Sequence, residues 1–301
     1  MKIFIFGAGY SAKAFARERR PGTTIVGTTR SAAKFDGLRD AGISPRIFDG
    51  AATPELSQTL SETTHLLISI APDDGGDPVL GVFAGVIRTA MPKLQWVGDL
   101  STVGVYGDYQ GDWIDEAAEC RPVSRRSRLR VEAEQAWQAL ADEIEKPLAI
   151  LRLSGIYGPG RNALVNLKNG TAKRLIKPGQ VFNRIHAADI AGALWHLAAQ
   201  NLGGTFNVTD DEPAPPQDVV TYAAELMGVA PPPEIPFETA QLSPMARSFY
   251  GENKRVSNQK LKETGYAFRF PTYRVALSAM WRDQSWRGEG GQDARSPIKP
   301  D

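Results

Sequence analysis

Met1-Lys-Ile-Phe-Ile-Phe-Gly-Ala-Gly-Tyr-Ser-Ala12 opens the chain and decides its reading. Ile3, Phe4, Ile5 and Phe6 form a continuous apolar run, the pattern of a strand buried on both faces. Ala12 to Glu18 continues as a good helix former. Between them lies Gly7-x-Gly9-x-x-Ala12: Gly7 permits a tight turn, Gly9 lets a pyrophosphate approach the backbone, and small Ala12 lets the helix lie close to the strand. The free amides at the helix start, at Tyr10, Ser11 and Ala12, are then the groups that hold phosphate, aided by the helix dipole. A glycine triplet alone is also a common surface turn. Its place directly after an apolar strand is the context that dinucleotide binding requires.

Working outward, a regular alternation continues. Strands are expected at Thr23 to Thr29, Pro45 to Phe48, Leu66 to Ile70 and Trp96 to Leu100. Helices are expected after Ser31, which is read as a cap with Gly42 as the stop, and over Pro54 to Glu62. Single helices between strands imply right-handed crossovers and an α/β fold, a doubly wound parallel sheet of Rossmann type. Ligands of such sheets lie at the carboxyl ends of the strands.

The residues just past each strand therefore matter. After the second come Thr29, Arg30 and Ser31, with Lys34 nearby. A site for NAD usually offers an acidic residue here, whereas Arg30 suits a 2′-phosphate, so NADP is expected, with NAD the alternative. Asp49 after the third strand can accept from an adenine amino group. Ser69 and Ala71 after the fourth border a ribose. Each of these loops is also ordinary turn chemistry.

With 301 residues, 42% hydrophobic and 23% charged, the chain is expected to be a soluble globular protein. Its 35 basic and 34 acidic residues nearly cancel, which argues against a nucleic-acid or acidic-membrane partner and for a small-molecule substrate. Cys120 stands alone and His65, His186 and His196 are scattered, so neither a disulfide nor a metal site is expected. No apolar run reaches membrane-spanning length, and Gly7 ends the first one too early for a signal peptide. A cytoplasmic setting is expected.

From about residue 160 the alternation stops and prolines gather, at Pro213-Ala-Pro-Pro216 and Pro231-Pro-Pro233. The organisation read from this is a dinucleotide-binding core over 1–160, a smaller C-terminal substrate lobe over 161–283, and a disordered tail over 284–301. The apolar helix 187–200 and the strand 205–209 are expected to pack back on the core.

At Ser101-Thr-Val-Gly-Val-Tyr-Gly107 the chain resembles the short-chain dehydrogenase/reductase superfamily, in its extended branch of nucleotide-sugar epimerases and dehydratases. Leu151-Arg-Leu-Ser-Gly-Ile-Tyr-Gly-Pro-Gly160, Ile185-His-Ala-Ala-Asp-Ile-Ala191 and Gly204-Thr-Phe-Asn-Val-Thr-Asp-Asp-Glu-Pro213 match further segments in the family's order. The resemblance covers residues 1 to about 283. It implies that Thr102 holds the catalytic Ser/Thr position, that Ser154 borders the cofactor, and that a homodimer forms through the helix from Arg126 to Glu145. That dimer would need Trp137 and Leu140 partly exposed in the monomer.

The resemblance breaks at the family's Tyr-x-x-x-Lys pair. Aligning Glu134 places Arg126 and Arg130 at those positions. Arginine has no acceptor and keeps its proton, so Arg126 is no general acid or base, though it can pair with an anionic group. A literal match, Tyr250-Gly-Glu-Asn-Lys254, lies far along the chain in a segment that either folds over the ligand or simply connects. Tyr106, Tyr157 and His186 remain as candidate proton donors, the last at the start of a helix, where a lone histidine is more often structural. Two functions are consistent with these residues. One is an NADP-dependent oxidoreductase or epimerase/dehydratase-like enzyme using Thr102, Arg126, Arg130 and His186. The other is a catalytically degenerate NAD(P)H-binding sensor or regulator. A hydrolase lacks the Gly-x-Ser-x-Gly elbow it would need.

Overall fold

The computed structural model describes residues 1–288, without the side chains of 244–246. Its centre is a seven-stranded parallel sheet. The first five strands in the chain are β1 (Lys2–Phe6), β2 (Thr24–Thr29), β3 (Ser44–Ile47), β4 (His65–Ile68) and β5 (Trp96–Thr102). With Leu148–Leu153 and Gly204–Val208, the spatial order is Gly204–Val208, Leu148–Leu153, β5, β4, β1, β2, β3. The chain thus winds outward one way from β1 through β2 to β3, then returns and winds the other way. The reversal beside β1 makes the crevice at its carboxyl end the binding position.

Helices cover both faces: α1 (Tyr10–Arg17), α2 (Phe35–Arg39), α3 (Pro54–Ser61), α4 (Pro78–Thr89) and α5 (Arg125–Glu143), followed by Ala187–Ala199. One face packs Ile3, Ile5, Ala12 and Phe15 against Leu194, Trp195 and Ala198. There Phe15 and Trp195 stack with ring centroids 4.4 Å apart, and the Trp195 indole donates to the Phe15 carbonyl at 3.0 Å. The other face packs Phe4, Phe6, Ile68 and Phe83 against Trp137 and Leu140.

Three expectations need correction. Ser31 does not cap a helix with its side chain: a short 3-10 turn, Ala32–Lys34, intervenes before α2, and the Ser31 hydroxyl makes no cap bond. Trp137 and Leu140 are 1% and 3% exposed. They fill the core beneath α5 and are not the partly exposed pair that a dimer through this helix was expected to require. The tail does not begin at 284, because Ser285–Arg287 forms a turn with Trp286 only 2% exposed. The Trp286 carbonyl accepts from Gly160 N at 2.9 Å and from Asn162 Nδ2 at 2.8 Å, two backbone-anchoring bonds that the composition of this stretch hid. Residues 289–301 of the expected tail lie outside the described residues.

Beyond the sheet, the helices Ala163–Lys168, Pro216–Met227 and Tyr273–Arg282 enclose Tyr157, Leu164, Ala223, Leu277 and Trp286. Short parallel pairs tie this part to the sheet's carboxyl side, Gly155–Tyr157 with Arg184–His186 and Trp113–Ile114 with Arg255–Val256.

Candidate functional site

The turn after β1 is built as its residues require. Gly7 has φ +86°, and a Cβ there would stand 2.7 Å from Ile70 Cγ1, so only glycine fits. Gly9 is different: a Cβ would meet nothing closer than the Gly7 carbonyl at 4.0 Å. The space before Gly9 is open. Helix α1 has no side-chain cap and no acidic residue in its first turn, which leaves its first amides without intrahelical partners. Ala12 is fully buried beneath them. These observations fit an anionic dinucleotide bridge. Ser11 is buried, and Tyr10 donates its hydroxyl to the Pro159 carbonyl at 3.0 Å, tying the turn to the loop after Gly155–Tyr157.

At the carboxyl end of β2, Arg30 is exposed and makes no hydrogen bond or ion pair among the described residues. Ser31, freed of the expected cap, is exposed beside it, and Thr29 Oγ1 accepts from Ser31 N at 3.4 Å. Asp49 is exposed after β3, with Oδ1 accepting from Ala51 N at 3.3 Å. Ser69 N donates to the Phe6 carbonyl at 2.8 Å, which sets the Ser69–Ala71 loop directly beside the phosphate turn. Ser154 is more enclosed than its sequence suggests, its hydroxyl 3.4 Å from the Val208 carbonyl.

At the end of β5, Thr102 Oγ1 accepts from Gly104 N at 3.1 Å. Its own proton is thereby left to donate. A Cβ on Gly104 would lie 3.3 Å from Ser127 Oγ and 3.4 Å from Thr102 Oγ1, so Ser127 is the α5 residue facing this strand end. Arg126, one residue earlier, is exposed and makes no hydrogen bond or ion pair among the described residues. Arg130 turns inward, with Nη1 3.9 Å from Oδ1 of the fully buried Asp99. Burial pushes the Asp99 carboxyl up to about 7, with Arg130 opposing and Glu134 and Asp77 reinforcing the rise.

Below this level runs a buried polar chain that the sequence did not announce. Ser101 donates to Glu134 through a very short contact, and Glu134 is gripped by Arg152 Nη2 at 2.7 Å. The Arg152 guanidinium lies 4.8 Å from the Tyr106 ring centroid, and the Tyr106 hydroxyl donates to Asn207 Oδ1 at 2.7 Å. Burial raises the Tyr106 phenol to about 12. Tyr106 is therefore a fixed member of this chain, poorly suited to giving up its proton. The signal that could have found the chain is three charged or amide residues, Glu134, Arg152 and Asn207, at otherwise apolar helix and strand positions.

His186 caps the helix Ala187–Ala199, its Nδ1 accepting from Ala188 N at 3.2 Å. The ring packs on Phe270 and Tyr157, and burial, aided by Arg269, lowers it to about 4. It is neutral near pH 7. Tyr157 is buried with its hydroxyl unbonded, and burial raises it strongly. The Tyr250–Lys254 segment is a clasp. Tyr250 packs with Phe182 and Phe237, while Lys254 Nζ donates to the Gly107 carbonyl at 2.6 Å and to Glu252 at 2.8 Å. Asn253 N donates to Asp108 Oδ1 at 2.8 Å. The segment thus folds over the loop that continues from Thr102.

Among the described residues no cluster of His, Cys, Asp or Glu could hold a metal ion, and no helix is long and apolar enough to cross a membrane. No family model matches the chain, and no curated protein matches it. Solved structures do. A functionally unknown conserved protein from Silicibacter pomeroyi is 46% identical, with a TM-score of 0.86, over 94% of this chain and 99% of that one. A putative NAD-dependent epimerase/dehydratase from Methylobacillus flagellatus is 26% identical, with a TM-score of 0.68, over 94% and 98%. A human epimerase family protein determined with NADPH is 18% identical, with a TM-score of 0.69, over 94% and 100%, and shares the fold.

Proposed function

We propose that the chain, similar over 94% of its length to a putative NAD-dependent epimerase/dehydratase, is a member of the extended short-chain dehydrogenase/reductase superfamily in its epimerase/dehydratase-like branch, and that it binds NADP(H) across the carboxyl ends of β1, β2, β4 and β5. The observation that carries this reading is the uncapped turn from Gly7 to Ala12, with open space before Gly9. The amides of Tyr10, Ser11 and Ala12 hold the pyrophosphate. Arg30 and Ser31, both exposed and uncommitted, take the 2′-phosphate. Thr29 and Asp49 flank the adenosine half, and Ser69, Ala71 and Ser154 flank the other.

When bound, the nicotinamide supplies two-electron redox chemistry. The chain's own contribution is to orient a small polar or nucleotide-sugar-like substrate. Thr102 donates a hydrogen bond to the reacting oxygen, and the clasp from Tyr250 to Lys254 shields that end from water. Calorimetry with NADPH and NADH tests the binding, and NADPH oxidation against a panel of carbonyl compounds and nucleotide sugars tests turnover. Failure to bind either cofactor would sink the reading.

The placement of Arg126 favours a second reading. It offers no titrating group at the start of α5, and the Tyr106 and Tyr157 hydroxyls are locked or buried. A cofactor-binding sensor without turnover fits those facts. Tight NADPH binding with inactivity across the panel would select it.

A further inference from the structure

Two hydroxyl groups border one small space at the carboxyl end of β5. A Cβ built on Gly104 would stand 3.3 Å from Ser127 Oγ and 3.4 Å from Thr102 Oγ1. Thr102 is the last residue of β5, and Ser127 lies in the first turn of α5, three residues past the cap Ser124. Gly104 does not have a positive φ. Its backbone would accept a side chain, so what glycine supplies here is room between the two hydroxyls.

Both oxygens already accept a hydrogen bond. Thr102 Oγ1 accepts from Gly104 N at 3.1 Å, and Ser127 Oγ accepts from Ser124 Oγ at 2.9 Å, while Ser124 Oγ accepts in turn from Ser127 N at 3.0 Å. Neither the Thr102 nor the Ser127 hydroxyl donates to an acceptor among the described residues, so two protons remain to be given. Ser127 is 7% exposed, whereas Thr102 and Gly104 are half-buried, and the space between them is not sealed. The helix end beside it is positive: α5 has no acidic residue in its first turn, and Arg126 makes no ion pair among the described residues.

Two hydroxyl protons beside a helix N-terminus suit an oxygen that gains negative charge. Carbonyl reduction creates such an oxygen. As hydride adds to the carbon, the C=O electron pair moves onto oxygen, and the resulting alkoxide takes its proton from water.

We propose that Ser127 is a catalytic residue acting beside Thr102: both hydroxyls donate to the carbonyl oxygen of the substrate, in the room that Gly104 leaves. This rests on the enzyme reading above. Neither hydroxyl gives up its proton, so the pair polarises the carbonyl without a titrating group at the start of α5.

The test uses the full chain, NADPH and the panel of carbonyl compounds. Ser127→Ala removes one donor and keeps the α5 cap, because that bond runs from the backbone N of residue 127 to Ser124 Oγ. Its kcat is expected to fall about 100-fold, with the NADPH dissociation constant within about twofold of the native value. Gly104→Ala sets a methyl between the hydroxyls and is expected to lose at least as much, and unfolding curves check that both variants fold. A crystal structure of the native protein with NADPH reads the site without turnover. An oxygen of water or of a bound carbonyl compound is expected within about 3.2 Å of both hydroxyls, and Gly104→Ala is expected to lack it. Undiminished kcat in Ser127→Ala overturns the proposal, as does a native crystal structure in which the two hydroxyls share no oxygen. A parallel loss of NADPH affinity in Ser127→Ala would assign the residue to cofactor binding and overturn it too. Native protein that binds NADPH and turns over nothing selects the sensor and removes this inference, whereas native protein that binds neither cofactor removes the dinucleotide reading as well.

Discussion

The indole N–H of Trp137 on α5 donates to Oδ2 of Asp77 at 3.0 Å, while Oδ1 of the same carboxylate accepts from Val79 N and Leu80 N at the start of α4. One buried side chain thus caps one helix and fastens a second to it. Replacing Asp77 by Ala removes a cap and leaves a buried indole donor unpaired, a loss of about 2–4 kcal/mol. A drop in the denaturant midpoint with an unchanged slope would register it. Asp77→Asn, which keeps an acceptor, is expected to lose less.

The two glycines of the phosphate turn separate folding from binding. Gly7→Ala meets both a positive φ and the Ile70 side chain, so it is expected to lower stability by about 1–3 kcal/mol. Gly9→Ala meets no protein atom within 4 Å other than the Gly7 carbonyl at that limit. Its unfolding curve is expected to overlay that of the native protein, while NADPH affinity falls by about tenfold or more. Unaltered affinity in Gly9→Ala would place the pyrophosphate elsewhere.

Arg30→Ala is expected to weaken NADPH binding by about 10- to 100-fold, the worth of a charge-assisted pair, and to leave NADH nearly unchanged. Parallel titrations read the ratio directly. Native protein that binds the two cofactors equally would remove the role of Arg30.

His186 and Asp210 give the stability curve opposite slopes. His186 is lowered by burial to about 4, below its unfolded value of about 6.5. The unfolded chain therefore binds the extra proton first, and stability falls as the pH drops from about 6.5 toward 4, by up to about 3 kcal/mol. His186→Asn, which retains a cap acceptor, is expected to flatten that acid limb. Asp210 is raised by burial to about 8, and its Oδ2 has no partner. Here the folded chain holds the proton more tightly, so ionisation erodes stability as the pH rises from about 4 to about 8. Asp210→Asn is expected to raise the melting temperature at pH 8 to 9 and change it little at pH 5. No gain at alkaline pH would sink the Asp210 argument.

The sheet was legible because its evidence is local. Strands such as Phe4-Ile-Phe6 and Leu66-Leu-Ile68 are apolar throughout, and glycine or small polar residues come directly after them, so type and order could be read without tertiary information. Thr29, Arg30, Asp49 and Ser69 lie at carboxyl ends of strands, as the topology requires. The polar interior was not legible. Asp99 and Arg130 lie 31 positions apart, and nothing in either neighbourhood marks a contact made only when α5 docks on β5. The family pattern points to Arg126, whereas the turn of the helix brings the next residue, Ser127, up to Gly104 beside Thr102. The burial of Trp286 is not legible because a single aromatic amid glycines and charges has no periodicity to reveal it. For Ser31, cap chemistry was read correctly as a residue preference, but a 3-10 turn took the position that a regular helix would have used.

Trp286 turns its carbonyl onto Gly160 and Asn162, and Tyr10 reaches the Pro159 carbonyl from the other side. The final described turn of the chain is therefore mechanically in series with its first one. A stop codon after Gln284 should act at a distance, slackening the nucleotide turn while most of the sheet stays intact. An affinity handle grafted close behind Arg287 is expected to have the same effect.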